Sequence, residues 1–223
     1  MRLLKISQTE LNLKRENLNE MKLLSIETTG NIGSIAFLKD NEVKREIIFE
    51  SLDIAGELVE KMGFIYEDFD YIVVSTGPGS WTGIRIGLSF AKGLSCGEKD
   101  KIYCINIFES FFYAVKNLKR KVICIVPSTK KRFYFSIMEK NFNYEGKFEI
   151  KESPLEKIIP IVKKDKYILI GSGVKDIVNF LKLEEIETLE FLWYPRASLN
   201  GLLAYEKIKR NIPSPLIEPI YGK

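Results

Sequence analysis

The chain has no histidine among its 223 residues. That excludes a Ser-His-Asp triad, a Cys-His pair and any histidine-ligated metal, so chemistry here would have to rest on carboxylates, lysines or hydroxyls. Cysteine is scarce: Cys96, Cys104 and Cys124 are odd in number and sit in or beside apolar runs, which reads as reduced thiols rather than a disulfide framework. No apolar run approaches the roughly 20 residues of a membrane span, and no stretch is laid out like a signal peptide. The expectation is a cytoplasmic protein with no membrane association. A strong charge imbalance is also missing. The 34 basic and 30 acidic residues are interspersed and leave a net +4, too mild to argue for nucleic acid by itself.

What remains is an ordinary globular composition, 45% apolar and 29% charged, in a length that suits one large domain or two small ones. Residues 1–20, polar after the first few positions, read as an N-terminal extension, disordered or helical. From Met21 the pattern is regular. β-rich apolar runs lie at Leu23–Ile26, Ser34–Leu38 and Val43–Phe49, followed by a helix near Asp53–Met62 and a strand at Tyr71–Ser75. A glycine-rich loop and a helix near Thr82–Ser95 come next, then a strand at Ile102–Asn106 and a helix near Glu109–Leu118. The order then repeats. Strands read at Val122–Val126, Arg132–Met138 and Lys147–Lys151, then a helix near Leu155–Val162, a strand at Tyr167–Ile170 and helices near Val174–Leu181 and Leu199–Lys209. This is an internal duplication in an α/β protein, each half carrying a mixed sheet flanked by helices. The basic run near Leu118–Lys121 marks the boundary, giving halves of 21–119 and 120–223.

Two helices of the first half are more apolar than one buried face requires. In the first, Leu52, Ala55, Gly56, Val59 and Met62 form a stripe beside an acidic edge of Asp53, Glu57 and Glu60. In the second, Gly83, Ile86, Gly87, Phe90, Ala91 and Leu94 form a stripe whose glycines would let another helix approach closely. Each such glycine costs about 1 kcal/mol in a helix interior, and close packing would compensate. The pair reads either as a surface covered by another subunit or as faces satisfied inside one domain.

STGPGSWTGIRIGLSFAKGLS (75–95) raises the question of phosphate binding, since a glycine-rich turn opens a helix. It lacks a Walker lysine and does not match G-x-G-x-x-G. Pro78 removes a donor, and Trp81 would crowd a pyrophosphate. A tight strand-to-helix turn is the competing reading. In IETTGNIGS (26–34), Glu27, Thr28 and Thr29 are the other phosphate-loop candidates, against a plain hairpin turn. Lys130, Lys131 and Arg132 read as a solvated turn or a phosphate contact, and Phe133, Tyr134 and Phe135 as a half-buried strand.

Taken together, LLSIETTGNIGSIAFL, GPGSWTGIRIGLSFAKGLS and the ending EPIYGK resemble the TsaB (YeaZ-like) family. These are accessory subunits for making N6-threonylcarbamoyladenosine at adenosine 37 of tRNAs reading codons that start with A. The resemblance runs from about Met21 to the C-terminus. It implies the actin-like, Hsp70-like (ribonuclease H-like) ATPase fold, and a non-catalytic scaffold whose homologous partner TsaD does the chemistry together with the small ATPase TsaE. The implied pairing surface is the helix pair Asp53–Met62 and Thr82–Ser95, used for a homodimer when TsaD is absent. It implies tRNA contact only through the complex and no tightly bound cofactor or metal, while a nucleotide at the subunit junction stays open. Two departures from the fold's active ATPases stand out. Glu27 holds the place of the first-strand aspartate, and Pro127, in PSTKKRFYF, holds the second. The carboxylate pair that would position Mg²⁺ is thus incomplete. The alternative reading is an independent ATP-dependent enzyme of the same fold, such as a small kinase.

Overall fold

Leu23, Leu24 and Ile26 put apolar groups on both sides of the pleat, the pattern of a strand covered on both faces. The computed structural model, which describes residues 20–63, 68–129, 131–139, 149–181 and 186–220, places them in β1 (Lys22–Glu27), where every residue after Lys22 is buried. β1 pairs antiparallel with β2 (Ile32–Lys39), and β2 with β3 (Glu42–Glu50). After helix α1 (Ile54–Met62), β4 (Tyr71–Gly77) returns parallel to β1. Helix α2 (Trp81–Leu94) then leads to β5 (Ile102–Asn106), parallel to β4. The resulting five-stranded sheet has the order β3-β2-β1-β4-β5.

The second sheet repeats the scheme with β6 (Val122–Pro127), β7 (Arg132–Met138), β8 (Lys151–Pro154) and β9 (Ile168–Ile170) in the order β8-β7-β6-β9. β6, β7 and β8 are antiparallel neighbours and β9 runs parallel to β6. Helices α4 (Leu155–Lys164) and α5 (Val174–Leu181) cover one face of this sheet. Of the strand expected at Lys147–Lys151, residues 147 and 148 lie outside the described residues. The strand begins at Lys151 because it is pairing with β7, Ser153 opposite Phe133, that defines it.

The helices between the sheets exchange partners. Helix α3 (Ile107–Ala114) ends the first half, yet Phe108, Phe111 and Phe112 pack with Val122, Cys124 and Ile170 of the second sheet. Each of these fully buried rings contributes about 1.5–3 kcal/mol of apolar burial. Helix α6 (Ala197–Lys209) ends the second half, yet Ala197, Leu203 and Ala204 pack on Leu23, Leu38 and Val73 of the first sheet. Where α3 and α6 meet, Lys207 pairs with Glu109 at 2.8 Å and Glu206 accepts from Tyr113 and Lys116.

Two helices start earlier than expected, for reasons of capping. α3 begins at Ile107 because the Asn106 side chain accepts from Phe108 N–H at 2.9 Å, directly at the end of β5. It stops at Ala114, short of the expected Leu118. α6 begins at Ala197 because residues far away in sequence cap it. Ser34 accepts from Ala197 N–H and Glu46 from Ser198 N–H, a carboxyl well placed for a helix N-terminus. No helix among the described residues is long and apolar enough to cross a membrane.

Candidate functional site

The tip of β1 is where the first sheet meets α2 and α6. Glu27 is fully buried there. One of its oxygens accepts from the backbone N–H of Thr29 at 2.6 Å and from the Thr29 hydroxyl. The other accepts from the Ser75 hydroxyl on β4 and from the Asn200 amide on α6 at 2.8 Å. Thr28 turns the other way and donates to Gly83 O at 2.8 Å, while Thr29 O accepts from Ser80 N–H at 2.7 Å. The structure thus brings Glu27, Thr28 and Thr29 together, with the carboxylate and both hydroxyls bonded within the chain. The Thr29 amide and the two hydroxyls that might have faced a phosphate are spent on this corner.

This packing explains the glycines of α2 differently from the sequence reading. A Cβ on Gly83 would overlap the Thr28 carbonyl, one on Gly87 the Thr28 hydroxyl and one on Gly79 the Thr29 carbonyl. The close approach is that of the β1 tip, inside the chain, rather than of a second helix. Gly83, Gly87 and Ala91 are buried beneath α2, so they leave the outward stripe to which they were assigned. Trp81 lies on the outer side of α2. It is 52% exposed, with the Arg85 guanidinium 3.6 Å from its ring centroid. It faces the outer groove, while Thr28 and Thr29 pack against the glycines on the inner side of the turn.

The outward side of the two helices forms an open, mainly apolar groove of about 680 Å³. Ala55 and Val59 of α1 line one wall, and Trp81, Arg85, Ile86, Phe90 and Leu94 of α2 the other. Asp53 caps α1 by accepting from Gly56 N–H at 3.0 Å, and Ser80 caps α2 by accepting from Gly83 N–H at 3.2 Å. Gly56 is exposed, and its missing Cβ leaves room for the Asp53 carboxyl. Leu52 is fully exposed just before the groove, and Val59 is 66% exposed. Ile86, Phe90 and Leu94 are half-buried, resting on the apolar cluster below, as is Met62. Thr82, Arg85, Ser89 and Gly93 also line the groove and were missed. The signal was present in the sequence, since Trp81, Arg85, Ser89 and Gly93 recur every four residues along one helical ridge. Their polarity concealed it.

Among the described residues the second half has no matching corner. Pro127 is exposed at the end of β6. Ser128 donates to Glu152 at 2.6 Å, and Arg132 pairs with the same carboxylate at 3.2 Å. Arg132 is therefore tied into the sheet edge, Lys131 sits exposed in the turn, and Lys130 lies outside the described residues. Among the described residues, no group of three or more His, Cys, Asp or Glu side chains could hold a metal ion. Burial pushes the Cys104 thiol up to about 11 and the Cys124 thiol well above its ordinary value, so neither is poised as a nucleophile.

The model of the family described as "TsaD: tRNA N6-adenosine threonylcarbamoyltransferase" matches residues 43–151. A tRNA N6-adenosine threonylcarbamoyltransferase of Clostridium perfringens (strain SM101 / Type A) is 28% identical over 125 residues, 54% of this chain and 33% of its own length. A more extensive match is the tRNA threonylcarbamoyladenosine biosynthesis protein TsaB of Buchnera aphidicola subsp. Schizaphis graminum, 29% identical over 190 residues, 78% of this chain and 89% of that one. The solved structure of YeaZ from Pseudomonas aeruginosa superimposes with a TM-score of 0.68, covering 90% of this chain and 100% of that chain at 16% identity. Along most of its length the chain is similar to TsaB/YeaZ proteins. The architecture is accordingly the actin-like one of two mixed sheets flanked by helices, as the family resemblance implied. The likeness of this chain to the transferase family model is partial, running from β3 into β8.

Proposed function

We propose that this chain serves tRNA threonylcarbamoyladenosine synthesis as a non-catalytic subunit, holding a TsaD-type transferase in the groove between α1 and α2. The observation that carries the reading is the pairing of two features. An apolar groove with Leu52, Val59 and Trp81 in the open lies directly above a strand tip whose carboxyl and hydroxyls are consumed internally. Exposed apolar surface of this kind marks a partner site, and a tip without spare donors has little to offer a nucleotide. TsaE joins the pair, a second copy of the chain takes the groove when the transferase is absent, and tRNA is reached only through the complex. Any nucleotide sits at the subunit junction, and the work is done in the cytoplasm.

Purifying the chain with the TsaD-type protein of the same organism tests this. Val59→Glu should raise the Kd of the pair at least about tenfold while leaving stability within about 0.5 kcal/mol. Phe180→Glu, on the exposed side of α5, should change neither. Absence of a complex with the unaltered chain sinks the proposal. So does Mg²⁺-dependent ATP turnover by the isolated chain that Glu27→Ala abolishes, the signature of an independent kinase.

A further inference from the structure

After α6 the chain does not leave the fold. It runs back over the first half as irregular chain, fastened by hydrogen bonds at three points. Tyr103 of β5 donates through its hydroxyl to Ile212 O at 2.9 Å. The β5 backbone N–H of Cys104 donates to the Ser214 hydroxyl at 2.9 Å. Ile220 N–H donates to Thr76 O at 2.7 Å, at the end of β4. β5 is the edge strand of its sheet, so part of this strap covers an edge that would otherwise be open to pairing.

Edge protection does not account for the rest of the strap. Ile217 lies beside Ile102 and Tyr103 of β5 and packs against the same apolar cluster as Ile86, Phe90 and Leu94 of α2. Those three side chains are half-buried: they line the groove and also rest on that cluster. The strap then ends against the turn that launches α2. Gly77 has φ +98°, and a Cβ there would run into Ile84 of α2 and lie 3.2 Å from Ile220 O. β4, the first turn of α2 and the strap therefore converge at one point where only glycine fits. We propose that residues 212–220 brace α2 against the first sheet and so set the shape of the docking groove, with Ile217 and Ser214 as positioning residues that partner affinity depends on. The affinity part rests on the groove being the partner site; the bracing part does not. Interiors pack tightly enough that removing a side chain from below moves what lies above.

Two measurements on the full chain separate these parts. Hydrogen exchange of the isolated protein reads the bracing. Ile217→Ala, and more mildly Ser214→Ala, should speed exchange of the Ile84–Leu88 amides about tenfold while the β6 amides stay unchanged. Affinity for the TsaD-type partner reads the coupling. The same variants should raise Kd by about tenfold, and Ile217→Val should restore it. Unchanged α2 exchange in both variants overturns the bracing. Faster exchange with unaltered Kd overturns the coupling. If the unaltered chain binds no partner, the docking reading fails and takes the coupling with it, while the exchange data still decide the bracing.

Discussion

At the tip of β1, Glu27 is fully buried and collects hydrogen bonds from Thr29, Ser75 and Asn200. At the matching tip of β6, Pro127 is exposed, and the neighbouring polar groups gather instead around Glu152 at the sheet edge. The four strands of the second sheet repeat the order of β3-β2-β1-β4 in the first, so the difference at the tips is one of chemistry rather than frame. The first tip ties together β1, β4 and α6. Its bond from Asn200 to Glu27 joins residues 173 apart in sequence, closing the end of the chain onto its beginning. The side-chain bonds at the second tip tie neighbouring strands, through an ion pair with side chains 41% and 22% exposed, a kind that contributes little. A duplicated frame can thus keep a polar knot in one copy and do without it in the other, provided the apolar layers hold both.

The sharpest way to break this comparison is to remove the knot. Glu27→Ala strands four donor groups in the core and should cost about 3 kcal/mol or more in urea unfolding. Pro127→Asp at the other tip should stay within about 0.5 kcal/mol. Similar losses at both sites would show that the tips are energetically equivalent after all.

A smaller contrast separates the inner and outer glycines of α2. Gly83→Ala drives a methyl into the Thr28 carbonyl and should cost about 1–3 kcal/mol. Gly93→Ala meets nothing within 4 Å and should stabilise by up to about 1 kcal/mol, helix propensity being the only term left. Thermal unfolding of the two variants reads the opposite signs directly.

The smallest effect lies at high pH. Burial raises the Cys104 thiol from 9.0 to about 11 and the Tyr103 phenol from 10.0 to about 12. A group with a raised folded pKa favours the fold fully below its ordinary value, and that contribution is lost as pH climbs through the folded value. The urea midpoint should therefore fall between about pH 9 and 12 on account of β5. Cys104→Ala should flatten the part of the decline that begins near 9. A midpoint indifferent to this variant would place the alkaline sensitivity elsewhere, with Cys124 of the second sheet the first alternative.

Much of the frame was legible before any coordinates. The strand runs, the repeat and the helix pair came from periodicity, because one buried face imposes a period of two or 3.6 on the side chains. The groove was legible in part. Of the residues in the two predicted stripes, Ala55, Val59, Ile86, Phe90 and Leu94 line it, while Gly83, Gly87 and Ala91 do not. A helix with an apolar arc this wide has two apolar faces, and periodicity gives the arc without saying which side meets the sheet. Arg85 and Ser89 were passed over for the same reason, since a polar edge looks solvated until its neighbours are known. The helix starts at Ile107 and Ala197 were missed by two residues each. For Ala197 the capping groups are Ser34 and Glu46, more than 150 residues away.

By itself, the sequence determined that no histidine chemistry operates here, that two similar α/β halves follow one another, and that the second half has no carboxyl at its strand tip. Composition and local periodicity suffice for that, because each statement concerns residue identity or near neighbours. Only the tertiary structure decided that the glycines of α2 receive Thr28 rather than a foreign helix, that α3 and α6 each cover the other half's sheet, and that the C-terminal strap returns to the root of α2. These contacts join residues far apart in the chain, and no local pattern encodes which distant surface will fill a given space.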